Sequence, residues 1–411
     1  MTDFIKTNID LHMHGLYSGA VSDKMIPKVI AEQAPLKGLN VVGSSDILNG
    51  RWVTLIKEQL KENKEGLLEA ENGTKFILQT EVEDKNRVHH IILFPSFSKV
   101  EEVKEKLKKY CKDFESDGRP KIGVGGEELV EVCNEAETLV GFSHAFTPYF
   151  GLFAKFNSYK DCYGSKWNKV HFLELGLSAD TNMADRISEL HNLTFTSNSD
   201  AHSPWPNKLG REFNTLRIKE ENYGEIVMAL KRENGRKCIL NAGFNPLEGK
   251  YHKTRCTGCL RFFDPKEAEK LKWKCDNCKK SIKKGVDYRI EELSDSPLGE
   301  HPEHRPLYKH IIPLSEIIAL SLNINNSWSI KVQNIWQKFV NKFGNEADIL
   351  LNIEIDRLKE FDENIGNYIE LFRNDKIEYI SGGAGVYGKL LKPGDRFVED
   401  KTKVQRNLKD F

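Results

Sequence analysis

Asp10-Leu11-His12-Met13-His14 sets two imidazoles two residues apart. On a strand such residues face the same side, so His12 and His14 can reach one metal ion. Alone, a His-x-His pair is a weak signal. It gains weight from Asp46, Glu81, His90, His144, Asp200 and His202, which fall in or near the ends of segments that read as strands. Imidazoles mixed with carboxylates suit Zn, Mn or Fe at a site with open positions. Burying such groups is costly unless they are paired or metal-bound, so a rim this dense in them points to a metal centre. Glu174 and His171 in the run VHFLELG are read as supporting groups.

A second cluster is built of thiols. Cys256-x2-Cys259 is followed, after fifteen intervening residues, by Cys275-x2-Cys278. Two CxxC knuckles at this spacing are a strong signal for one tetrahedral Zn2+ held by four thiolates. Four protein ligands close the coordination sphere, so this zinc is structural. Cys111, Cys133, Cys162 and Cys238 are scattered and read as small buried apolar residues.

Positioning these groups falls to an alternation of strands and helices over residues 1–248. NIDLHMH, LNVVGSSD, TKFILQTEVE, VHHIILF, TLVGFSHAF, KVHFLELGL and LTFTSNSDAH read as strands, several of them continuously apolar. Apolar runs of this kind belong to strands buried on both faces, and the alternation predicts a parallel α/β architecture. The polar residues sit toward the C-terminal strand ends, where α/β barrels assemble their sites. Residues 249–292 form the four-cysteine module. Residues 293–395 begin with a connector rich in Pro and His, continue as amphipathic helices and close on a glycine-rich loop. A charged tail occupies 396–411. Gly383-Ala384-Gly385-Val386-Tyr387-Gly388 fits GxGxxG, but Pro393 follows too soon for a dinucleotide-binding helix, and that reading is rejected.

Charge is informative only locally. The 411 residues carry 61 basic and 61 acidic side chains, so the net charge is zero. Between Lys253 and Arg289, however, twelve Lys or Arg stand against five Asp or Glu. Phosphate contacts dominate nonspecific DNA affinity, which makes this module a candidate clamp on DNA through Lys253, Arg255, Arg261, Lys279, Lys280, Lys283 and Lys284. No segment reaches the apolar length of a membrane span and MTDFIKTNID does not read as a signal peptide; a cytoplasmic, membrane-free protein is expected.

DLHMH, the Glu81 strand, HIIL, FSHAF and SDAH resemble, in order, the motifs of the PHP phosphoesterase superfamily. The resemblance implies a (β/α)7 barrel with two or three catalytic divalent ions (Zn2+, Mn2+ or Mg2+). By motif, His12, His14, Glu81 and Asp200 would hold one ion. Glu81 would bridge to a second, held by His90 and His144; His89 lies next to His90, and HIIL favours the latter. His202 and Asp46 would stand near a third position, although Ser45-Asp46-Ile47 departs from the usual Asp-His. Asp200, His202 and Glu81 would carry the catalysis.

The further order of cysteine module, HPEHRPLYKHIIPL connector, helical region and GGAGVYGK loop resembles the endonuclease Q family over roughly residues 1–395, with SDAHSPWPNKLGREFN the most distinctive stretch. That resemblance implies a DNA repair endonuclease that cuts 5′ to deaminated bases (uracil, hypoxanthine, xanthine) and abasic sites, leaving a 3′-hydroxyl and a 5′-phosphate. Extruding the lesion would require a pocket, with Trp205, Tyr149, Phe150 and Tyr387 as stacking candidates. Gln405, Leu408 and Phe411 fit the Q-x-x-L-x-x-F frame of peptides that dock on the sliding clamp PCNA. A small-molecule phosphatase on the same barrel is the alternative.

Overall fold

The computed structural model describes residues 3–63 and 66–391. Ten strands carry the main sheet: β1 (Ile5–Asp10), β2 (Val41–Gly43), β3 (Lys75–Glu83), β4 (His89–Phe94), β5 (Leu139–Phe142), β6 (Phe172–Glu174), β7 (Thr194–Thr196), β8 (Phe213–Ile218), β9 (Lys237–Gly243) and β10 (Leu307–His310). Their order is β10-β9-β8-β1-β2-β3-β4-β5-β6-β7, with two short strands, Lys61–Glu62 and Leu68–Glu69, attached beside β3. Just beyond the ends of β1 and β7, Met13 bridges Ala201 in parallel and the His14 N–H donates to the Ala201 carbonyl at 3.0 Å. The seven strands β1–β7 thus close into a barrel, and β8 and β9 continue antiparallel from β1.

The sheet is not wholly parallel. β3 pairs antiparallel with β4, and β4 antiparallel with β5. Only residues 84–88 join β3 to β4, far fewer than a parallel crossover needs. Alternation along the strands sorts their side chains into two clusters. Ile9, Leu11, Val41, Ile77, Ile91, Leu93 and Phe172 pack together with the helix Tyr223–Lys231. Val42, Phe76, Leu78, Ile92, Phe94 and Leu173 pack under the surrounding helices. Period-2 alternation therefore assigns Gln79, Glu81 and Glu83 to the face of Ile77, and His89 to the face of Ile91.

Beyond the barrel, a two-stranded ribbon (Arg255–Cys256 with Ile282–Lys283) and the helix Pro265–Lys270 make up the cysteine module. The connector is more than a spacer, because β10 within it pairs parallel with β9 and extends the barrel sheet. Helices Leu314–Ser321, Ile330–Phe343, Glu346–Leu351, Ile355–Phe361 and Glu363–Arg373 follow. A buried ion pair fastens them to the barrel: Lys37 Nζ lies 2.5 Å from Glu346 Oε1, while Glu346 Oε2 accepts from the Trp336 indole at 2.6 Å. Next to Lys37, Gly38 has φ 86°, and a Cβ there would meet Asn345 Oδ1 at 2.4 Å, so this close approach requires glycine. The glycine-rich loop ends in a ribbon (Tyr379–Ile380 with Lys389–Leu390) and folds back on residues 247–253, with Gly382 N–H on the Leu247 carbonyl at 2.7 Å and Gly388 N–H on that of Glu248 at 2.9 Å. Among the described residues no helix is long and apolar enough to cross a membrane.

Candidate metal centre

The loops after β1 and β7, the end of β3, the start of β4 and the loop after β5 meet at one mouth of the barrel. Glu81, fully buried, is the hub. Its Oε1 lies 3.1 Å from His89 Nδ1, 3.1 Å from His144 Nε2 and 3.5 Å from His12 Nε2. Its Oε2 lies 3.5 Å from His14 Nε2. Asp200 Oδ1 stands 3.2 Å from His14 Nε2 and 3.7 Å from His12 Nε2. One carboxylate is thus shared between two donor sets, His12–His14–Asp200 and His89–His144.

Behind the histidines stand further carboxylates. Glu174 Oε2 accepts from His12 Nδ1 at 2.9 Å and from Asn198 Nδ2 at 2.9 Å. Asp46 Oδ1 faces His14 Nδ1 at 3.3 Å, and its Oδ2 accepts from the Gly15 N–H at 2.7 Å and the Ser18 hydroxyl at 2.8 Å. A carboxylate on Nδ1 fixes the tautomer and aims Nε2 at a metal. Among the described residues the Nε2 atoms of His12 and His14 are buried and make no hydrogen bond. Buried polar atoms are nearly always satisfied, so these donors fit divalent ions at the mouth.

Electrostatics agree with that fit. Burial alone would pull His12 down, but Glu174 and Glu81 more than offset it and hold the imidazole well above its ordinary value. For His14, burial is likewise outweighed, here by Asp200 and Asp46, and the ring is raised to about 9. Burial opposes ionisation of Glu81 and Asp200 too, yet the surrounding imidazoles hold both well below the carboxylate range. The same carboxylate charge that holds protons on these imidazoles favours a divalent ion in their place, and binding it would release those protons. Asp46 (φ 27°), His144 (φ 26°) and Asp200 (φ 46°) all occupy left-handed backbone space. Side-chain-bearing residues seldom sit there, and such strain gathers at functional sites.

Five expected ligands, His12, His14, Glu81, His144 and Asp200, therefore converge. His202 lies at the edge, its ring 4.6 Å from that of His14 and its Nδ1 on the Asp200 carbonyl at 2.9 Å. Asp46 comes to the site only through His14. His90 does not face it: the Nδ1 of His90 is 2.9 Å from the Tyr163 hydroxyl and its Nε2 is 3.5 Å from Asp84. His89 takes the expected place of His90. The register decides this, because His89 pairs with Glu83, which shares a face with Glu81, whereas His90 pairs with Val82. The five-residue connection between β3 and β4 was the available signal. Arg119, whose Nη1 lies 3.3 Å from Glu81 Oε2, carried no sequence signal.

In the cysteine module all four Sγ atoms lie within 4.8 Å of one another. Cys256 and Cys278 are 3.3 Å apart and Cys259 and Cys275 3.6 Å, too far for disulfides. Tetrahedral Zn–S bonds of about 2.3 Å place sulfurs roughly 3.8 Å apart, so the quartet fits one metal ion. The other cysteines are buried.

The basic side chains of the module are more committed than their number suggests. Lys253 pairs with Asp287 at 2.8 Å, Arg261 with Glu267 at 2.7 Å and Asp276 at 3.0 Å, and Lys284 with Glu292 at 2.5 Å. Arg255 bonds the Leu260 carbonyl and stacks on Phe262, and Lys279 donates to the Asp276 carbonyl. Among the described residues Lys280 and Lys283 make no ion pair; Lys283 lies over the Tyr149 ring. Of the stacking candidates, Phe150 is packed on His89, with ring centroids 4.5 Å apart, whereas Tyr149, Trp205 and Tyr387 are exposed. Gln405, Leu408 and Phe411 lie outside the described residues.

Comparison with known proteins follows the same architecture. The family described as MJ0043 C-terminal domain matches residues 313–376. An uncharacterized protein of Methanocaldococcus jannaschii, MJ0043, is 45% identical over 267 residues, which are 64% of this chain and 33% of that protein. The chain thus spans about a third of the length of that relative. The crystal structure of the lesion-specific endonuclease Q from Pyrococcus furiosus is 43% identical, with a TM-score of 0.90 over 98% of each chain. The chain belongs to the endonuclease Q family. A second endonuclease Q structure, in complex with a 27-mer duplex substrate bearing an abasic lesion at the active site, is also 43% identical, with a TM-score of 0.90 over 98% of this chain and 99% of that one. Endonuclease Q membership makes the chain a metal-dependent hydrolase that cuts DNA.

Proposed function

We propose that this endonuclease Q protein cuts the phosphodiester 5′ to uracil, hypoxanthine, xanthine and abasic sites in DNA, leaving a 3′-hydroxyl and a 5′-phosphate. The observation that carries the reading is the shared position of Glu81, between His12–His14–Asp200 on one side and His89–His144 on the other. Those six residues would hold two divalent ions. Bound there, the ions supply Lewis-acid activation of water and draw charge from the phosphodiester.

The chain's own groups do the rest. Glu174 and Asp46 lock the His12 and His14 tautomers. The Asp200 side chain, 30% exposed, reaches from the buried hub toward the opening and would orient the attacking water. His202 keeps its Nδ1–H on the Asp200 carbonyl, which leaves Nε2 to take up a proton released by the attacking water and pass it to the departing 3′ oxygen. Lys280 and Lys283 would take phosphates of the flanking duplex, and the cysteine quartet would hold the Zn2+ that keeps them in place. Abasic DNA in the related complex supports the substrate class. Gln405, Leu408 and Phe411 would dock on PCNA.

The test uses purified protein, a divalent metal, and duplexes carrying a single uracil, hypoxanthine, xanthine or abasic site beside an undamaged control. Nicking on the 5′ side of the lesion, in the damaged strand only, is expected. Asp200→Ala should cut at background while its DNA binding stays measurable. Equal cutting of undamaged duplex, or hydrolysis of free phosphate esters alone, overturns the reading.

A further inference from the structure

Among the described residues Arg119 is the one Lys or Arg side chain that hydrogen-bonds Glu81, and it is placed there by a tightly anchored loop. The Gly118 N–H donates to the Tyr17 carbonyl at 3.1 Å, and the Arg119 N–H donates to Asp117 Oδ1 at 3.0 Å. Immediately after, the Glu83 N–H donates to the Pro120 carbonyl at 3.0 Å and the Ile122 N–H to the Glu83 carbonyl at 2.8 Å. The loop is therefore tied on one side to the β1 region and on the other to β3, the strand that carries Glu81. Its contact with the site is close: a Cβ on Gly118 would stand 2.2 Å from Asp46 Oδ2 and 2.4 Å from Ser18 Oγ.

The guanidinium so placed has one acidic partner among the described residues, Glu81, at 3.3 Å. That carboxylate is already faced by four imidazoles, and ions held at the mouth would compete with Arg119 for it. Arg119 is also within electrostatic reach of Asp200 and His202, the groups that border the opening. Its side chain is 28% exposed, so it lies on the wall between the hub and solvent and not in a sealed core. A largely buried cation whose partner is taken by metal needs another anion, and a phosphodiester is the anion this site receives. Guanidinium offers planar, fixed N–H donors that match phosphate oxygens.

We propose that Arg119 is a catalytic residue that binds a non-bridging oxygen of the scissile phosphate and stabilises the negative charge that builds there as water adds and the 3′ oxygen leaves. The inference rests on the endonuclease reading above. The guanidinium moves no proton; it supplies a preorganised donor, a kind of interaction whose removal typically slows kcat by about 100-fold or more.

The experiment compares wild-type protein with Arg119→Ala and Arg119→Lys on an abasic duplex, with metal content measured on each and guanidinium chloride added to Arg119→Ala. The expected result is kcat lowered about 100-fold in Arg119→Ala, unchanged metal content, a lesser loss in Arg119→Lys and partial rescue by free guanidinium. Wild-type-like cutting by Arg119→Ala overturns the proposal. So does loss of the barrel metals in that variant without rescue, because Arg119 would then act only by holding Glu81. Failure of the wild-type protein to nick the duplex would instead sink the endonuclease reading.

Discussion

Glu174 Oε2 and His12 Nδ1 stand 2.9 Å apart, both fully shielded from solvent. The same carboxylate uses Oε1 to accept the His144 N–H at 3.2 Å, so it ties together the loops that carry one residue of each donor set. Replacing Glu174 with Gln keeps the shape but weakens the hold on the imidazole and the anionic support behind the metal. Metal affinity at the barrel is expected to fall about 10–100-fold, with cutting restored at high metal concentration. Metal titration of activity checks this; an unchanged titration curve would remove Glu174 from the metal centre.

His89 and His90 are adjacent, and the structure gives them opposite faces of β4. His89→Gln is therefore expected to lower barrel metal content and cutting. His90→Ala should keep both, but it leaves the buried Tyr163 hydroxyl without its partner, at a cost of roughly 1–3 kcal/mol, while Asp84 keeps the Asn86 and Val88 N–H groups. Metal analysis and thermal unfolding of the two variants separate these outcomes, and the reverse pattern would return the ligand role to His90.

The cysteine module has a small core, with Phe263, Ala268 and Ile282 beside the buried Cys256 and Cys275. So little apolar burial does not hold a fold of this size without a metal, so binding the ion and folding the module are one event. Cys275→Ser should release about one zinc per chain and weaken DNA binding, while hydrolysis of a small phosphodiester at the barrel persists. Zinc release together with undiminished DNA affinity would deny the module its role on DNA.

Glu212 is buried, and its Oε1 accepts the Phe244 N–H at 2.8 Å while Oε2 has no hydrogen-bond partner among the described residues. Burial raises its pKa to about 8, despite the Phe244 N–H and Arg211 acting the other way. The folded value lies above the unfolded one, so the stability it contributes is full below about pH 4.5 and is lost as pH rises toward 8. Glu212→Gln should match the wild-type protein near pH 4 and exceed it at pH 8, by on the order of 3 kcal/mol. Urea unfolding at the two pH values is the check; parallel curves at both would show that Glu212 is not held neutral.

The reach of the sequence can be seen in particular residues. His12 and His14 were legible because strand alternation is local and has a fixed period of two. The cysteine quartet was legible because ligand spacing in a knuckle is set within one short loop. The seven strands of the barrel were equally visible as apolar runs, and the family resemblance to endonuclease Q agrees with the structural match across nearly the whole chain. What alternation alone leaves open is which face of a strand looks inward. His89 and His90 were indistinguishable until the antiparallel register of β3 and β4 set Glu83 against His89. Asp46 and Glu174 have the same chemistry as Glu81, yet they stand behind the histidines because of where β2 and β6 end in space. Arg119 lies in a loop between elements, and only the closure of that loop onto β1 and β3 brings its charge to Glu81. Local period and spacing wrote the ligand types into the chain, while register and loop closure, which depend on residues distant in sequence, decided which of those side chains share one cavity.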